Sequence, residues 1–117
     1  NLIILAPSLS LLADASHNEG LQTALEAFVD RTYEDDGSLS TRPIQGAVIQ
    51  DPILSQRHIK KMITERAIIS RNGLILKTPF HSICLHSDTP NSVEISKQIC
   101  ILLQSMNIEQ KTLPELF

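Results

Sequence analysis

The sequence predicts an α/β fold in which parallel strands alternate with helices. Short apolar runs alternate along the chain with segments whose apolar residues recur at helical spacing. The first pair is an apolar strand over residues 2–5 and a helix that Ser8 or Ser10 can cap and Gly20 can end. A second strand over residues 21–31 completes a βαβ unit, whose two strands are almost always parallel.

The remainder of the chain continues this alternation. Residues 32–45 are polar and predict a loop, long enough to suggest a functional role. Asp51 and Pro52 form a capped helix start, and apolar residues at helical spacing extend the predicted helix over residues 52–69. Asn72-Gly73 is expected to end this helix.

The last third predicts one more strand and one more helix. The strand covers residues 82–86, and Thr89-Pro90 repeats the pattern of a capping residue followed by proline. The inner face of the last helix is expected to carry four apolar side chains with Cys100 beside them: Val93, Ile99, Leu103 and Met106. Residues 109–117 are expected to be an irregular tail.

Composition limits the classes of function. The chain of 117 residues is 42% apolar, which suffices for a single domain with one small core. A net charge of -3 without a basic excess gives no support for nucleic-acid binding, and no apolar run is long enough to span a membrane. Cys84 and Cys100 have no zinc or redox spacing, so we expect buried, reduced cysteines in a cytoplasmic protein.

Charged residues in the second predicted strand form the first candidate site. In an extended chain Glu26, Phe28 and Asp30 share one face, and Arg31 lies on the other. Burial of an unpartnered carboxylate costs several kcal/mol. The acids therefore lie either at a solvated edge or in a polar cavity. From these residues alone, Asp30 and Arg31 also fit a surface pair or a loop anchor.

A second candidate site covers residues 86–90, at the carboxyl end of the last predicted strand. His86 there has the chemistry of a general acid or base, and Asp88 has that of an orienting group or a metal ligand. The start of the following helix offers free N–H groups to an anion. The alternative is a plain helix cap by Asp88 or Thr89, with His86 uninvolved.

Two further side chains, Tyr33 and Arg42, lie in the long loop, where they are candidates to close over a ligand. The alternative is that Arg42 pairs with one of the loop acids 34–36 and only fixes the loop. The remaining histidines, His17, His58 and His81, are interpreted as surface or loop residues. For His58 the neighbouring basic residues of 57–61 suggest the solvated side of a helix.

The two candidate sites together resemble a known family. Residues 26–33, E-A-F-V-D-R-T-Y, are followed by Asp36-Gly37-Ser38-Leu39, Arg42 and a G-A-V-I run at 46–49, then Asp51. Residues 83–90, I-C-L-H-S-D-T-P, are similar to a second motif, I-C-x-H-G-D-T-P. Both occur in this order in the later half of the LamB/YcsF lactam-utilisation family, which the chain resembles over most of residues 2–108.

The resemblance implies a structure and an activity. The implied fold is part of a (β/α) barrel of the divergent seven-stranded type, and residues 1–117 would form one C-terminal fragment of that domain. The implied reaction is the ATP-dependent hydrolysis of the lactam 5-oxoproline to glutamate, carried out with partner subunits. Because the family's N-terminal motifs have no counterpart here, the missing N-terminal half of the barrel is an expected partner.

The resemblance also implies roles for individual residues. The implied catalytic set is His86, Asp88, Asp30 and Glu26. The implied substrate-binding set is Arg31, as a fork for the substrate carboxylate, together with Arg42 and Thr89. ATP is implied only at the level of the complex, because the sequence contains no glycine-rich phosphate loop.

Two other interpretations remain open. The first is a metal-dependent amide or carbohydrate hydrolase on a related barrel, with His86 and Asp88 as ligands. The second is a truncated, non-catalytic remnant that only binds its other half or a partner subunit. Half a barrel would leave sheet edges and apolar faces uncovered, so such a chain is expected to associate.

Overall fold

The polypeptide forms two small sheets flanked by helices, in a computed structural model that describes residues 2–117. The elements, in chain order, are β1 (Ile3–Pro7), α1 (Leu11–Asn18), β2 (Gln22–Phe28), α2 (Pro52–Glu65), β3 (Ala67–Ile69), β4 (Ile75–Lys77), β5 (Ser82–Cys84), α3 (Ser92–Ser105) and α4 (Leu113–Leu116). A parallel sheet has the strand order β1-β2-β5, and β3 and β4 form an antiparallel pair. The parallel sheet with its intervening helices confirms the predicted α/β class.

The N-terminal βαβ unit has the predicted order, but β1 extends to Pro7 and β2 ends at Phe28, three residues before the predicted end at Arg31. Ser10 caps α1 by accepting a hydrogen bond from the Ala13 N–H at 3.1 Å. Gly20 follows the helix with φ +72°, a conformation that glycine adopts without a steric penalty. The chain then enters β2, which pairs in parallel with β1 from Ile3↔Gln22 to Pro7↔Glu26.

The helix predicted over residues 52–69 ends four residues early. Its start is correct: Asp51 accepts from the N–H groups of Ile53 and Leu54 at 2.8 and 3.3 Å. At Arg66, however, the backbone turns left-handed with φ 49°. The following segment, Ala67–Ile69, is the fully buried strand β3, whose β-branched isoleucines favour an extended chain.

The Asn72-Gly73 pair does not end a helix, as the sequence suggested, but forms the turn between β3 and β4. The Gly73 N–H donates to the Ser70 carbonyl at 2.9 Å, and Gly73 has φ +86°. Asn-Gly between two apolar segments is a strong hairpin signal. The resulting two-stranded sheet interrupts the simple alternation of parallel strand and helix.

The final helix begins later than predicted. Thr89 does not cap it; Asn91 occupies the N-cap position with φ 64° and gives no side-chain hydrogen bond. Its buried face consists of Ile95, Ile99, Leu102 and Leu103. Val93 was expected on that face but is 70% exposed. In the tail, Thr112 and Glu115 form a capping box that starts the short helix α4, so the predicted irregular structure covers only part of residues 109–117.

The main core lies between the parallel sheet, β3 and the two long helices. Its fully buried side chains include Val29 of the β2 end, Ile59 and Met62 of α2, Ile68 of β3 and Ile95 of α3. Complete burial of one such side chain contributes about 1.5–3 kcal/mol. This core fixes the carboxyl ends of β2 and β5 next to each other, where both sequence motifs are located.

Candidate active site

Asp30 is the centre of the candidate site. It lies two residues beyond the end of β2 and is completely buried. Its carboxylate accepts three kinds of donor: the His86 main-chain N–H at 3.0 Å, His86 Nδ1 at 3.0 and 3.1 Å, and the Thr89 hydroxyl at 2.6 Å. These bonds satisfy the buried carboxylate, so the predicted cost of burying it is offset.

His86 is oriented by two contacts. A carboxylate only accepts hydrogen bonds, so the ionised form of Asp30 holds the tautomer in which His86 Nδ1 carries the proton. The imidazole also stacks on Phe28, with ring centroids 5.5 Å apart and planes inclined by 8°. The side chain is 29% exposed. Its Nε2 is thus left for an external proton transfer.

Thr89 and Asp88, neighbours in the second motif, face different environments. Thr89 is buried and its hydroxyl is committed to Asp30, so it neither caps α3 nor points freely at a ligand. Asp88 is exposed. The group that orients His86 is therefore Asp30, from the first motif, and not Asp88 as the sequence suggested.

Glu26 lies two residues before Phe28 in β2, so both side chains are on the same face of the sheet. The Cys84 thiol lies near the Glu26 carboxyl group. Partial burial raises the pKa of Glu26, although Cys84 and the nearby His86 oppose that shift. Burial and the neighbouring acids raise the pKa of Cys84 to about 11. Glu26, Phe28 and Asp30 all contact the Cys84–His86 stretch, as expected for residues of one strand face.

Arg31 is buried, with 8% of its surface exposed, although it follows Asp30 directly. One arm of the guanidinium, Nη2, donates to the Ser40 carbonyl at 2.7 Å. Its Nε is buried without a hydrogen-bond partner, and no carboxylate in residues 2–117 forms an ion pair with it. Arg31 is thus not an exposed surface pair with Asp30, but its bond to Ser40 anchors the loop, which is the other alternative that its sequence neighbourhood allowed.

Arg42 is exposed in the long loop and does not pair with the loop acids. Glu34 pairs instead with Arg71 at 2.8 Å, and Asp35 accepts from Ser70 at 2.6 Å and from Asn72 at 3.2 Å. These bonds fasten the first part of the loop to the β3–β4 turn. They also lower the pKa of Asp35, chiefly through the Ser70 bond.

Tyr33 and His58 are placed wrongly by the sequence interpretation. Tyr33 does not reach over the loop; it is 2% exposed, and its hydroxyl accepts from the Phe28 N–H at 2.9 Å. His58 stacks on Tyr33 with centroids 6.2 Å apart, and burial lowers the pKa of its imidazole. Helical spacing from Ser55, one turn before it on the buried face of α2, is the signal that identifies His58 as an inward-facing residue.

The other histidines and the cysteines agree with the sequence interpretation only in part. His17 is exposed, as predicted. His81 is also exposed, but its Nδ1 accepts from the Leu25 N–H at 2.9 Å and so extends the pairing of β2 and β5. Cys84 is half-buried and Cys100 is exposed, so the expected burial of Cys100 is wrong.

A cavity of about 970 Å³ lies on the side of β5 that faces away from Glu26 and Asp30. Apolar side chains from β5 and α3 line much of it, including Ile83, Leu85 and Ile99, and basic residues such as Lys77 and Lys111 stand beside it. None of the seven predicted site residues lines this cavity. We therefore place the candidate site by its hydrogen-bonded groups rather than by this cavity.

Two other kinds of site are absent from the described part of the chain. No group of three or more His, Cys, Asp and Glu side chains in residues 2–117 has the arrangement of a metal site. Within the same residues no helix combines the length and the apolar character that crossing a bilayer requires.

Comparison with known proteins agrees with the two motifs. The profile of the LamB/YcsF family matches residues 1–117. The chain belongs to the LamB/YcsF family. Its fold is also similar to that of the crystal structure of the lactam utilization protein from Thermus thermophilus, with a TM-score of 0.82, 24% identity, and coverage of 95% of this chain and 44% of that one.

Curated relatives of this LamB/YcsF chain are named as the A subunit of 5-oxoprolinase. The protein from Azoarcus sp. is 37% identical over 115 residues, which cover 98% of this chain and 45% of the relative. The protein from Clostridium beijerinckii is 42% identical over 108 residues, or 92% of this chain and 42% of the relative. The chain thus spans less than half the length of these relatives.

Proposed function

We propose that this chain supplies part of the lactam-opening site of an enzyme like the A subunit of 5-oxoprolinase, which hydrolyses 5-oxoproline to L-glutamate with ATP and partner subunits. The observation that carries the proposal is the joining of the two family motifs through Asp30, His86 and Thr89 at the carboxyl ends of parallel strands. Active sites of parallel α/β folds are built at these ends. The relatives that are named as 5-oxoprolinase subunits give the reaction class.

In this proposal His86 is the proton-transfer group. The hydrogen bond from its Nδ1 to Asp30 fixes the ring, so Nε2 can take a proton from the attacking water and return it to the leaving lactam nitrogen. Asp30 stabilises the imidazolium that forms in between, as a buried carboxylate does in a nucleophile–base–acid arrangement. Asp30 is then an orienting and charge-stabilising group, and Thr89 acts on the reaction through Asp30.

Glu26 and Asp88 are proposed as additional acids with different roles. Partial burial raises the pKa of Glu26, which lies beside His86, and we propose that its carboxyl group assists proton transfer at the lactam. Asp88 is exposed next to His86 in the chain and is proposed at the rim of the site, where it can meet a substrate amide N–H. Neither role requires a metal ion.

Arg31 and Arg42 are proposed to bind the substrate carboxylate. Arg31 supports this role because its buried guanidinium has no acid partner in residues 2–117, and a buried cation is stabilised by an anion. Arg42 supports it because it is exposed in the loop that begins directly after the site. A charge-assisted hydrogen bond from a guanidinium to a carboxylate is shorter and stronger than one between neutral groups.

In this proposal ATP is bound by the complex of this protein with its partner subunits, and not by this chain alone. The four glycines of the chain are isolated, so residues 1–117 contain no glycine-rich phosphate loop, and we assign no ATP contact to them. The two free cysteines are consistent with the cytoplasmic location that we propose. A metal-dependent hydrolase, the alternative interpretation, has no ligand cluster in the described residues and is not favoured by any observation.

We also propose that a complementary part of the barrel covers the two edges of the parallel sheet. In residues 2–117 the outer edges of β1 and β5 are not paired with another strand. Exposed leucines accumulate on the β1 and α1 side, and the cavity of about 970 Å³ opens beside β5 on the other side. A body that adds strands to both edges would bury these surfaces, and the length of the relatives provides room for it.

The proposed function is tested by ATP-dependent release of glutamate from 5-oxoproline. The chain is expressed with the complementary barrel half and the partner subunits, and His86→Ala is compared with Lys97→Ala, an exposed change on α3. We expect His86→Ala to lower kcat by about 100-fold or more and Lys97→Ala to have no effect. Full activity of His86→Ala would refute the proposed proton transfer.

A separate variant tests the carboxylate site. Arg31→Ala is expected to raise KM for 5-oxoproline by about 10-fold or more, because it removes a charge-assisted contact. Unchanged KM in a folded Arg31→Ala protein would remove Arg31 from the substrate site. Assays with and without a chelator distinguish the alternative: a chelator-sensitive hydrolysis that needs no ATP would support a metal-dependent hydrolase instead.

A further inference from the structure

Three side-chain atoms in residues 2–117 are buried without a hydrogen-bond partner: Arg31 Nε, Ser55 Oγ and His58 Nε2. All three are strongly polar, and burial of such an atom without a partner costs free energy. Native proteins contain few of them, and each has a structural cause, often an ordered water molecule. None of the three takes part in the hydrogen bonds around Asp30 and His86.

Two of the three atoms lie together on α2, and the third belongs to Arg31, which follows Asp30 directly in the chain. Ser55 and His58 are three residues apart on the inward face of α2, where side chains at this spacing are neighbours. The His58 ring stacks on Tyr33. The backbone carbonyls of Phe28 and Arg31 act on the same ring.

Arg31 reaches this region from the sheet. Its backbone forms a bridge with Val48, and the Ile49 N–H donates to the Asp30 carbonyl at 2.8 Å. The segment that leads into α2 therefore runs beside the residues that follow β2. The Arg31 side chain is buried, its Nη2 donates to the Ser40 carbonyl of the loop, and its Nε has no hydrogen-bond partner.

We propose that Arg31 Nε, Ser55 Oγ and His58 Nε2 bind one ordered water molecule in the interior, between the β2 end and the first turns of α2. A buried water typically makes about three hydrogen bonds to groups that otherwise lack a partner. Three such groups are present here, and two of them lie on adjacent turns of one helix face.

The donors and acceptors of this site balance. Arg31 Nε–H can only donate, so it donates to the water oxygen. The two water protons then go to Ser55 Oγ and to His58 Nε2. This requires a neutral His58 with its proton on Nδ1. The water would tie α2 to the segment that carries Asp30.

A pair of serine variants tests the site. Serine-to-alanine changes in a helix raise stability through helix propensity, so the exposed Ser96→Ala in α3 measures that gain alone. If Ser55 binds the water, Ser55→Ala should shift the urea midpoint to a lower value than Ser96→Ala does, because the change removes a partner of the water. If the hydroxyl has no partner, Ser55→Ala should shift the midpoint upward by at least as much as Ser96→Ala, and the proposal would be overturned.

A crystal structure of the chain at high resolution gives an independent answer. We expect a density peak within about 3.2 Å of all three atoms. The absence of a peak would overturn the proposal. So would a peak that gains an anomalous signal when chloride is replaced by bromide, since the occupant would then be an anion held by Arg31. The tautomer provides a further check by nitrogen NMR, because a proton on His58 Nε2 would contradict the proposed bonding.

Discussion

The Asp30 carboxylate accepts both the main-chain N–H and the Nδ1 of His86, with Oδ2 3.0 Å from each nitrogen. The same oxygen accepts the Thr89 hydroxyl at 2.6 Å. One buried side chain from the first motif thereby fixes both the backbone and the ring of the second motif. This relationship gives the first two predictions about stability.

Asp30→Ala should be strongly destabilising. It leaves two donors of His86 and the Thr89 hydroxyl without an acceptor, so we expect a loss of about 3–5 kcal/mol in the free energy of unfolding. Asp88→Ala, an exposed change in the same motif, should stay within about 0.5 kcal/mol. Denaturant unfolding of the two variants measures the difference. Equal effects would contradict the central position of Asp30.

Thr89→Val should lower stability by about 1.5–3 kcal/mol, because it removes a hydrogen bond to a charged group while it keeps the shape of the side chain. Thr89→Ser keeps the hydroxyl and should recover most of the loss. The exposed Thr41→Val is the matched control. If Thr89→Val behaves like Thr41→Val in urea unfolding, the hydroxyl does not contribute to stability.

His58 should make stability depend on pH below its ordinary pKa of 6.5. Burial lowers the pKa of His58 in the folded chain, so the unfolded chain binds the proton first as the pH falls. The folded state therefore loses stability from about pH 6.5 downward, through the lowered folded pKa, by at most about 1.4 kcal/mol per pH unit.

The measurement is the free energy of unfolding between pH 5 and pH 7 for the parent and for His58→Gln. The variant should lose part of the slope, whereas the exposed His17→Gln should keep it. An unchanged slope in His58→Gln would show that His58 is not buried in its neutral form.

Two glycine variants separate backbone strain from packing. Gly37 and Gly73 have nearly the same φ, +87° and +86°. A Cβ at Gly37 would lie 2.9 Å from Leu9 Cδ1, whereas nothing lies within 4 Å of a Cβ at Gly73. Gly37→Ala should thus cost more than Gly73→Ala, because Leu9 has to shift to make room for the new methyl group. Equal unfolding free energies would mean that Leu9 moves aside freely.

The two cysteines should differ in reactivity toward a disulfide reagent at pH 8. Cys100 is exposed and should react rapidly. Cys84 is half-buried and its pKa is raised to about 11, so only about one thousandth of it is thiolate at that pH. Kinetics with one fast and one slow thiol are expected, and Cys100→Ser should remove the fast phase. Two fast thiols would contradict the raised pKa of Cys84.

Local sequence signals predicted the parts of the fold that depend on local physics. The caps and the glycine stop depend only on a few neighbouring residues. Asp51 and Gly20 were predicted correctly, and Ser10 is one of the two caps that the sequence offered for α1. The end of α2 failed because Ala67 continues the helical spacing of the apolar residues. Only the pairing of β3 with β4, a tertiary feature, makes the extended conformation the more stable one.

In the candidate site, too, the sequence predicted some features, and others depended on tertiary structure. That polar residues would meet at the ends of β2 and β5 followed from the parallel topology. Which acid orients His86 did not follow, because Asp88 is near in sequence whereas Asp30 is near in space. The inward-facing, partly buried position of His58 was hidden by the basic residues around it, although its spacing from Ser55 indicated it.

The bond from Asp30 to His86 joins positions 56 residues apart and encloses the whole segment that contains α2 and the β3–β4 hairpin. Closing a loop of this length costs about 3.5 kcal/mol of chain entropy by the logarithmic rule, before the constant for closure is added. Contacts of such long range form late in folding. A collapsed intermediate can therefore contain its helices and still lack the His86 geometry, so the chemistry of this ring reports on the completed native state and not on secondary structure.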